Sequence, residues 1–167
     1  MPAAEAPDAI ALLKADHRKI EDLFAQFEAA KGDGKKQVVA EQIRMELTVH
    51  TKLEEDIFYP ACEGAVEDDL LKQAYVEHDG AKVLINDILA GGPDDTFYDA
   101  KVTVLAEEIT HHVKEEEEPG KGMFAQARAA EVDLVALRDA MLARKEELMA
   151  QLETSGLPPA ELATLNV

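Results

Sequence analysis

Two HxxxE pairs in the sequence combine side chains that commonly bind transition metals. The first pair is His50 and Glu54, and the second is His112 and Glu116. Residues four apart lie on the same face of a helix, so each imidazole and its carboxylate could reach a single ion. This ligand set suits iron, manganese or zinc. One such pair on its own is more typical of an exposed hydrogen bond, so the helices around both pairs decide between the two interpretations.

Five long segments with few helix breakers, of which Gly80 in the third is one, predict the elements that position these pairs. Glycine and proline cluster at a few places, and the stretches between them are rich in alanine, leucine, glutamate and lysine. No segment alternates polar and apolar residues over a length that would form a sheet. The predicted helices span residues 7–30, 35–63, 66–90, 95–117 and 123–153.

Each of the first four predicted helices places one histidine on its apolar stripe, where residues recur at steps of three and four. The second and fourth helices add a glutamate one turn later, and no lysine or arginine lies on these stripes. Burial of an unpaired carboxylate costs on the order of several kcal/mol, so we expect two divalent cations to neutralise the glutamates. The stripes are Ile10, Leu13, His17, Ile20, Phe24 and Phe27; Ile43, Leu47, His50, Glu54, Ile57 and Ala61; Leu71, Ala74, His78, Ala81, Ile85 and Ile88; and Val102, Leu105, Ile109, His112 and Glu116.

The sequence also contains an internal repeat. A helix with one histidine followed by a helix with HxxxE occurs twice, with 33 residues from His17 to His50 and 34 from His78 to His112. A glutamate also lies four residues before the histidine of each HxxxE pair. Two similar hairpins packed face to face would bring the HxxxE turns together near a pseudo-twofold axis. This arrangement favours a dinuclear centre with carboxylate bridges.

The charge of the chain argues against several classes of partner. Its 167 residues include 17 Lys and Arg against 35 Asp and Glu, a formal net charge of -18, so nucleic acid and anionic membrane surfaces should be repelled. The N-terminal stretch lacks the pattern of a secretory signal, and no apolar run approaches the ~20 residues that span a bilayer. The single cysteine, Cys62, is expected to be a small core residue without a disulfide, which favours a cytoplasmic location.

The ordered set of motifs resembles the hemerythrin-like, or HHE, cation-binding family. The matching stretches are DHRKIEDLF around His17, HTKLEEDIFYP at 50–60, VEHD around His78 and HHVKEEE at 111–117, and the match covers roughly residues 8–150. The resemblance implies an all-α, up-down-up-down four-helix bundle that encloses two non-haem iron ions. It also implies a ligand set in which four histidines are terminal and two carboxylates bridge the metals: His17, His50, His78 and His112, with Glu54 and Glu116.

The function implied by this resemblance is to bind, sense or react with oxygen, peroxide or nitric oxide, and a di-iron peroxidase, catalase-like or oxidase activity is a further expectation. The oxygen-carrying hemerythrins have HxxxH on the third helix and HxxxxD on the fourth. Here Lys82 follows His78 at the first of these spacings, and the fourth helix offers HxxxE instead. One imidazole fewer favours reactive, redox-cycling iron over reversible oxygen storage.

Two overlapping HxxxE pairs in HHVKEEEE leave a choice on the fourth helix. His112 and Glu116 follow the apolar stripe, whereas His111 lies about 100° further round the helix with Glu115, so the first of these pairs is preferred. Glutamates one turn before a ligand histidine are the candidates for contacting the ligands from outside, and other acidic residues are expected to form a solvated rim. The outer candidates are Glu46 and Glu108, and the rim comprises Glu55, Glu115, Glu117 and Glu118.

Two other functions remain open at this level. A ferritin-like carboxylate bundle would use ExxH motifs, and Glu108 with His111 supplies one, but no second motif lies at the corresponding position in the other half. A metal-free helical interaction module with pH-sensitive core histidines is the other alternative.

The expected organisation is a single helical domain at 1–153, which includes a C-terminal helix at 123–153, and a C-terminal tail at 154–167. The fifth segment is amphipathic and is expected to dock on its own bundle. The alternative is that it joins another subunit, so a monomer or a weak homodimer is expected.

Overall fold

Most of the chain is helical in the computed structural model, which describes residues 7–156 and 158–166. The all-α class and the first four predicted helices are confirmed, with ends that differ by a few residues from those expected. Within the described residues no β-strand forms, and no helix is long and apolar enough to cross a bilayer. The helices are α1 (Ala9–Ala29), α2 (Asp33–Leu53), α3 (Tyr59–Cys62), α4 (Asp68–Gly91), α5 (Tyr98–Glu117), α6 (Met123–Ala129) and α7 (Leu134–Ser155), and a π-helical turn (Glu54–Phe58) joins α2 to α3.

Two helical hairpins form the bundle. α1 packs antiparallel to α2 and α4 to α5, and the hairpins meet with α1 beside α5 and α2 beside α4. The side chain of Asp8 caps the start of α1 by accepting a hydrogen bond from the N–H of Ala11 at 3.0 Å. The order of the helices around the bundle is therefore α1, α2, α4, α5.

The predicted apolar stripes of α1, α4 and α5 are buried along their whole length. The stripe of the second predicted helix is correct only as far as Glu54. Beyond that residue Ile57 is half-buried and Ala61 is exposed, whereas Phe58 and Tyr59 are fully buried. The side chains after Glu54 have therefore shifted round the helix relative to an ideal 3.6-residue period.

The π-helical turn causes this shift. The N–H of Tyr59 donates to the C=O of Glu54, five residues earlier, so both residues lie on the same face. Pro60 follows directly and favours the widened turn, because proline donates no helical hydrogen bond and its ring would collide with the carbonyl of Asp56. The turn thereby brings an aromatic hydroxyl into the core beside a buried carboxylate.

The buried apolar side chains form two clusters with a polar layer between them. Leu13 and Phe58 belong to one cluster, and Ile20 and Leu105 belong to the other. His17 lies between Leu13 and Ile20 on α1 and is itself buried. The inward histidines therefore cross the bundle as a layer that is covered by apolar side chains on both sides.

A close approach at Gly122 holds α6 against the end of α5. A Cβ atom on this residue would lie 2.7 Å from both the carbonyl oxygen of Glu116 and the backbone nitrogen of Glu118, so glycine is needed here. The next turn places the ring of Phe124 parallel to the imidazole of His17, with 5.8 Å between ring centroids. α6 therefore covers one side of the histidine layer.

The prediction of one continuous helix at 123–153 is wrong, because the structure divides this segment into α6 and α7. Glu131 adopts a φ of 58° between the two helices. The side chain of Asp133 then caps α7 by accepting a hydrogen bond from the N–H of Ala136 at 3.0 Å. No glycine or proline lies at this break, so the sequence contains no sign that the helix ends there. α7 packs on α1 and α2 of its own chain, as expected for the fifth segment.

Residues 158–166 form an irregular segment that contacts α4. The carboxylate of Asp79 accepts hydrogen bonds from the N–H groups of Ala163, Thr164 and Leu165 and from the hydroxyl of Thr164, at 2.5 to 2.8 Å. Burial would raise the pKa of Asp79, but these bonds hold it well below its usual value. The proposed boundary between a domain at 1–153 and a tail at 154–167 stays a prediction.

A pair of truncations on α7 tests its docking. Leu148→Ala should lower the free energy of unfolding by about 2–5 kcal/mol, because Leu148 is 1% exposed and belongs to the first apolar cluster. Leu142→Ala on the same helix should change it by less than about 0.5 kcal/mol, because Leu142 is 45% exposed. Urea unfolding of both variants measures the difference, and equally small effects would show that α7 is not docked as described.

Candidate metal centre

Six inward side chains meet in the histidine layer as two groups. In each group the possible ligand atoms lie within 4.8 Å of one another, and every member is buried. The structure thus brings together all six residues selected from the sequence, while their role as ligands stays a prediction. The first group comprises His17, His50, Glu54 and Glu116, and the second comprises Glu54, His78 and His112.

Each of the two carboxylates lies between histidines from different hairpins. Oε1 of Glu54 is 2.9 Å from Nε2 of His50 and 3.3 Å from Nε2 of His78. Oε1 of Glu116 is 3.0 Å from Nε2 of His112 and 3.4 Å from Nε2 of His17. A pair of carboxylates shared in this way by two pairs of imidazoles is the arrangement expected of bridging ligands.

The donor atoms of this centre fit a cation. Several of them are fully buried and have no hydrogen-bond partner apart from other members of the centre. In the described part of the chain, no lysine or arginine pairs with either inner glutamate. Buried polar atoms without hydrogen bonds are rare and call for an ion or another partner. The atoms concerned are Nε2 of His17 and of His50, both carboxylate oxygens of Glu54, and Oε1 of Glu116.

In the protein without metal, protons on the imidazoles balance the carboxylates. Burial would lower the pKa of His50, but the charge of Glu54 and a hydrogen bond to Asp16 raise it to about 10. Burial likewise opposes protonation of His112, yet the adjacent Glu116 raises its pKa well above the usual value. The same imidazole holds the pKa of Glu116 well below its usual range, against the effect of burial. A metal ion would therefore have to displace protons.

A ring of four outer carboxylates contacts the histidines from the side away from the centre. Each Nδ1 atom faces a carboxylate oxygen on a neighbouring helix, while the corresponding Nε2 atom faces inward. Such contacts fix the ring orientation and tautomer of a metal-binding histidine. The four pairs, with the distance from Nδ1, are His17 with Glu117 (2.7 Å), His50 with Asp16 (3.1 Å), His78 with Glu55 (3.0 Å) and His112 with Glu77 (3.5 Å).

This ring corrects the expected roles of several acidic residues. Glu55 and Glu117, assigned to a solvated rim from the sequence, contact the central histidines His78 and His17. Glu46, one of the expected outer candidates, pairs instead with Lys19 at 2.6 Å, and Glu108 makes no contact with a central histidine among the described interactions. The sequence does contain a feature that could have identified the ring: each ring carboxylate is adjacent in sequence to one of the six central residues.

Tyr59 is a further residue of the centre that the sequence pattern did not indicate. Its hydroxyl donates a hydrogen bond to Oε2 of Glu116 at 3.2 Å and lies 3.1 Å from Nε2 of His78 and 3.2 Å from Nε2 of His112. Burial, together with the charges of Glu116 and Glu54, raises the pKa of the phenol well above its usual value. Tyr59 therefore keeps its proton beside the second group. Pro60 was the only hint, because it disturbs the helical period.

The remaining candidates lie away from the centre. His111 is 66% exposed and pairs with Glu115 at 3.1 Å, so the preferred pair, His112 with Glu116, is the one that faces inward. Cys62 is buried, and burial together with the charges of Glu116 and Glu54 raises its thiol pKa to about 12. It is therefore a protonated core residue rather than a nucleophile.

Comparisons with known proteins concern the family and the fold of the chain. The family model described as the hemerythrin HHE cation binding domain matches residues 8–124. The crystal structure of a hemerythrin HHE cation binding domain-containing protein, the Rv2633c homolog from Mycobacterium kansasii, superposes with a TM-score of 0.73 at 21% identity, over 90% of this chain and 94% of that one. This similarity concerns the fold.

A curated protein named DNA nickase, from Nostoc sp. (strain PCC 7120 / SAG 25.82 / UTEX 2576), is 28% identical over 106 residues. The match covers 64% of this chain but only 30% of that protein. The chain thus spans less than a third of the relative's length.

Substitution of a ring carboxylate tests the outer contacts. Glu117→Ala should weaken metal binding by about 10–100-fold, because His17 loses the partner of its Nδ1 atom. Glu46→Ala removes an acidic residue that contacts Lys19 and no central histidine, so it should leave the affinity unchanged. Competition titrations with a chromophoric chelator measure both affinities. Equal affinities in the two variants would show that the contact between Glu117 and His17 does not contribute to binding.

Metal uptake should release protons. At pH 7 the metal-free protein holds a proton on His50, whose pKa is about 10, and a metal ion needs the neutral imidazole. Between pH 6 and 8 the apparent affinity should therefore rise with pH, by about tenfold per unit for each proton displaced. A pH indicator in weakly buffered solution counts the released protons. An affinity independent of pH, with no proton release, would contradict the charge balance described here.

Proposed function

The chain belongs to the hemerythrin HHE cation-binding family, and we propose that it holds two iron ions in a non-haem, carboxylate-bridged centre within the histidine layer. The observation that supports this most directly is the shared position of Glu54 and Glu116, each between histidines of different hairpins. Two divalent cations would supply the positive charge that the inner carboxylates lack once the imidazoles are neutral.

The proposed ligand set follows the two groups and adds Glu116 to the second, because its Oε1 atom is 3.0 Å from Nε2 of His112. His17 and His50 would hold one ion, His78 and His112 would hold the other, and the two glutamates would be shared. Imidazole nitrogen with carboxylate oxygen is a donor set for iron, manganese or zinc, and it contains no thiolate. We propose iron because it is the metal that the resemblance of the motifs implies. Two imidazoles and shared carboxylates would leave coordination positions on each ion free for a small ligand.

The proposed activity is to bind, sense or react with oxygen, peroxide or nitric oxide. An iron pair supplies the redox chemistry toward such ligands when it is bound. The protein would supply a dry and oriented site: the rings of Phe58 and Phe124 lie among the buried side chains on one side of the layer, and the outer carboxylates orient the histidines. Whether the reaction turns over, as in a peroxidase, catalase-like enzyme or oxidase, depends on the delivery of electrons and protons.

Tyr59 is proposed as the proton-bearing group of the centre. Its hydroxyl lies within 3.2 Å of three central side chains, and its raised pKa keeps the proton on the phenol. A phenol in this position can donate a hydrogen bond to a small ligand held between the two groups.

The two alternatives are less consistent with the structure. A ferritin-like ligand set would require His111 of the motif Glu108-x2-His111 to face inward, but this imidazole is largely exposed. A metal-free interaction module would bury two carboxylates among four imidazoles, with only protons to balance the charge. A melting temperature that does not change on addition of Fe(II) would favour the metal-free module.

Anaerobic loading with Fe(II) tests the proposed function. Wild-type protein should retain two irons per chain, and His50→Ala and Glu54→Ala should each retain fewer, because each removes a central donor. Glu107→Gln removes an exposed charge on α5 and should retain two, as the matched control. Retention of one iron by the wild type, or of two by both central variants, would overturn the ligand set.

Exposure of the loaded protein to oxygen, peroxide and nitric oxide then distinguishes the possible activities. New visible absorption bands with any of the three would support the proposal. Rapid catalytic loss of peroxide would identify an enzyme, and a stoichiometric change would identify a sensor. Stable, reversible oxygenation would show that the preference for reactive iron over storage was wrong.

A further inference from the structure

We propose that Glu77, His111 and Glu115 form an outer divalent-cation site on the surface formed by α4 and α5, through which metal reaches the inner centre. This inference rests on the proposed function, since it concerns how that centre is filled. The possible ligand atoms of the three residues lie within 4.8 Å of one another. They supply one imidazole and two carboxylates, which is a donor set for the same ions as the inner centre.

The three side chains converge at an open groove. Nε2 of His111 is 3.1 Å from Oε1 of Glu115, on the same helix, and 3.9 Å from Oε2 of Glu77, on α4. The groove has a volume of about 640 Å³ and is also lined by Glu108. Among the described residues, the one lysine of the lining is Lys72, which is paired with Asp68 at 2.6 Å. A hydrated cation can therefore approach all three ligands from solvent.

The charges around the ring of outer carboxylates single out this route. Three of the four ring carboxylates are paired with a cationic side chain, which would repel an incoming metal ion. Glu77 is the exception, because within residues 7–156 and 158–166 its ion pairs are with His111 and His112 alone. The positive side chains beside the other three carboxylates would repel a cation, and the negative charge of Glu77 would attract it. The three ring carboxylates with a cationic partner are Glu117 with Arg18, Asp16 with Lys145, and Glu55 with Lys82.

Glu77 also connects the groove to the centre. Its Oε1 atom lies 3.5 Å from Nδ1 of His112, while its Oε2 atom faces His111. His112 is thus the residue between the two sites, since its Nε2 atom is 3.0 Å from Glu116 in the inner layer. Burial and the charge of Glu77 raise the pKa of Glu108, which is consistent with an excess of negative charge around the groove.

The exposure of the three outer residues suits a site that binds a metal ion weakly and passes it on. His111 is exposed and Glu77 and Glu115 are half-buried, so an ion bound there would remain hydrated and exchange with solvent. The inner donors are buried and held by the ring. An ion would therefore bind more weakly outside and move to the inner centre.

The double variant His111→Ala/Glu115→Gln tests this route, because it removes two outer ligands and no central one. Metal-free protein is mixed with limiting Fe(II) without oxygen, and the iron that survives passage over a chelating resin is measured at timed intervals. We expect inner filling to slow about tenfold while the final content remains two irons per chain. The matched control, Glu107→Gln/Thr110→Ala, alters two exposed positions of α5 outside the groove lining and should fill at the wild-type rate. Equal rates in all three proteins would overturn the proposal.

A second measurement examines the outer site itself. When the inner centre has been filled with iron, electron paramagnetic resonance should count one additional, weakly bound Mn(II) per chain in the wild type and none in the double variant. Identical Mn(II) binding in both proteins would also overturn the proposal. If the wild type retains no iron, the proposed function fails, and the Mn(II) comparison made on metal-free protein still decides whether the outer site exists.

Discussion

The buried carboxylates of Glu54 and Glu116 are the constraint on which the rest of the structure depends. Each lies between histidines of different hairpins, and no lysine or arginine of the described residues pairs with either. Burial of such groups without a counter-charge would cost on the order of several kcal/mol each. The bundle must therefore hold protons or metal ions at this level, and whatever binds there contributes directly to the stability of the fold.

The helical geometry explains how a ring of outer carboxylates can surround this layer. Successive residues of an α-helix are about 100° apart around the axis, so the neighbour of an inward residue points toward the adjacent helix of a four-helix bundle. α1 and α4 run in one direction, and on each of them the ring carboxylate is the residue that precedes the histidine. The π-helical turn after α2 and α5 run in the opposite direction, and there the ring carboxylate is the residue that follows the inner glutamate. Reversal of the helix direction accounts for the alternation. The members are Asp16, Glu55, Glu77 and Glu117, each in contact with a histidine of the next helix.

The parts of this arrangement that follow from helical periodicity could be predicted from the sequence. The apolar stripes located the four central histidines and the two inner glutamates, and the structure brings these six side chains together. The parts that depend on a neighbouring helix or on a local departure from the helical period could not. Glu55 and Glu117 looked like surface residues because each lies off its own stripe, and Tyr59 was missed because the π-helical turn shifts it inward. The break at Glu131 was missed because neither glycine nor proline marks it.

The most direct test of a shared di-iron centre is anomalous diffraction from crystals of the Fe(II)-loaded protein, with data on both sides of the iron absorption edge. We expect two iron peaks inside the ring, one beside His17 and His50 and the other beside His78 and His112, with Glu54 and Glu116 contacting both. A single peak in the layer, or iron found only on the surface, would contradict it.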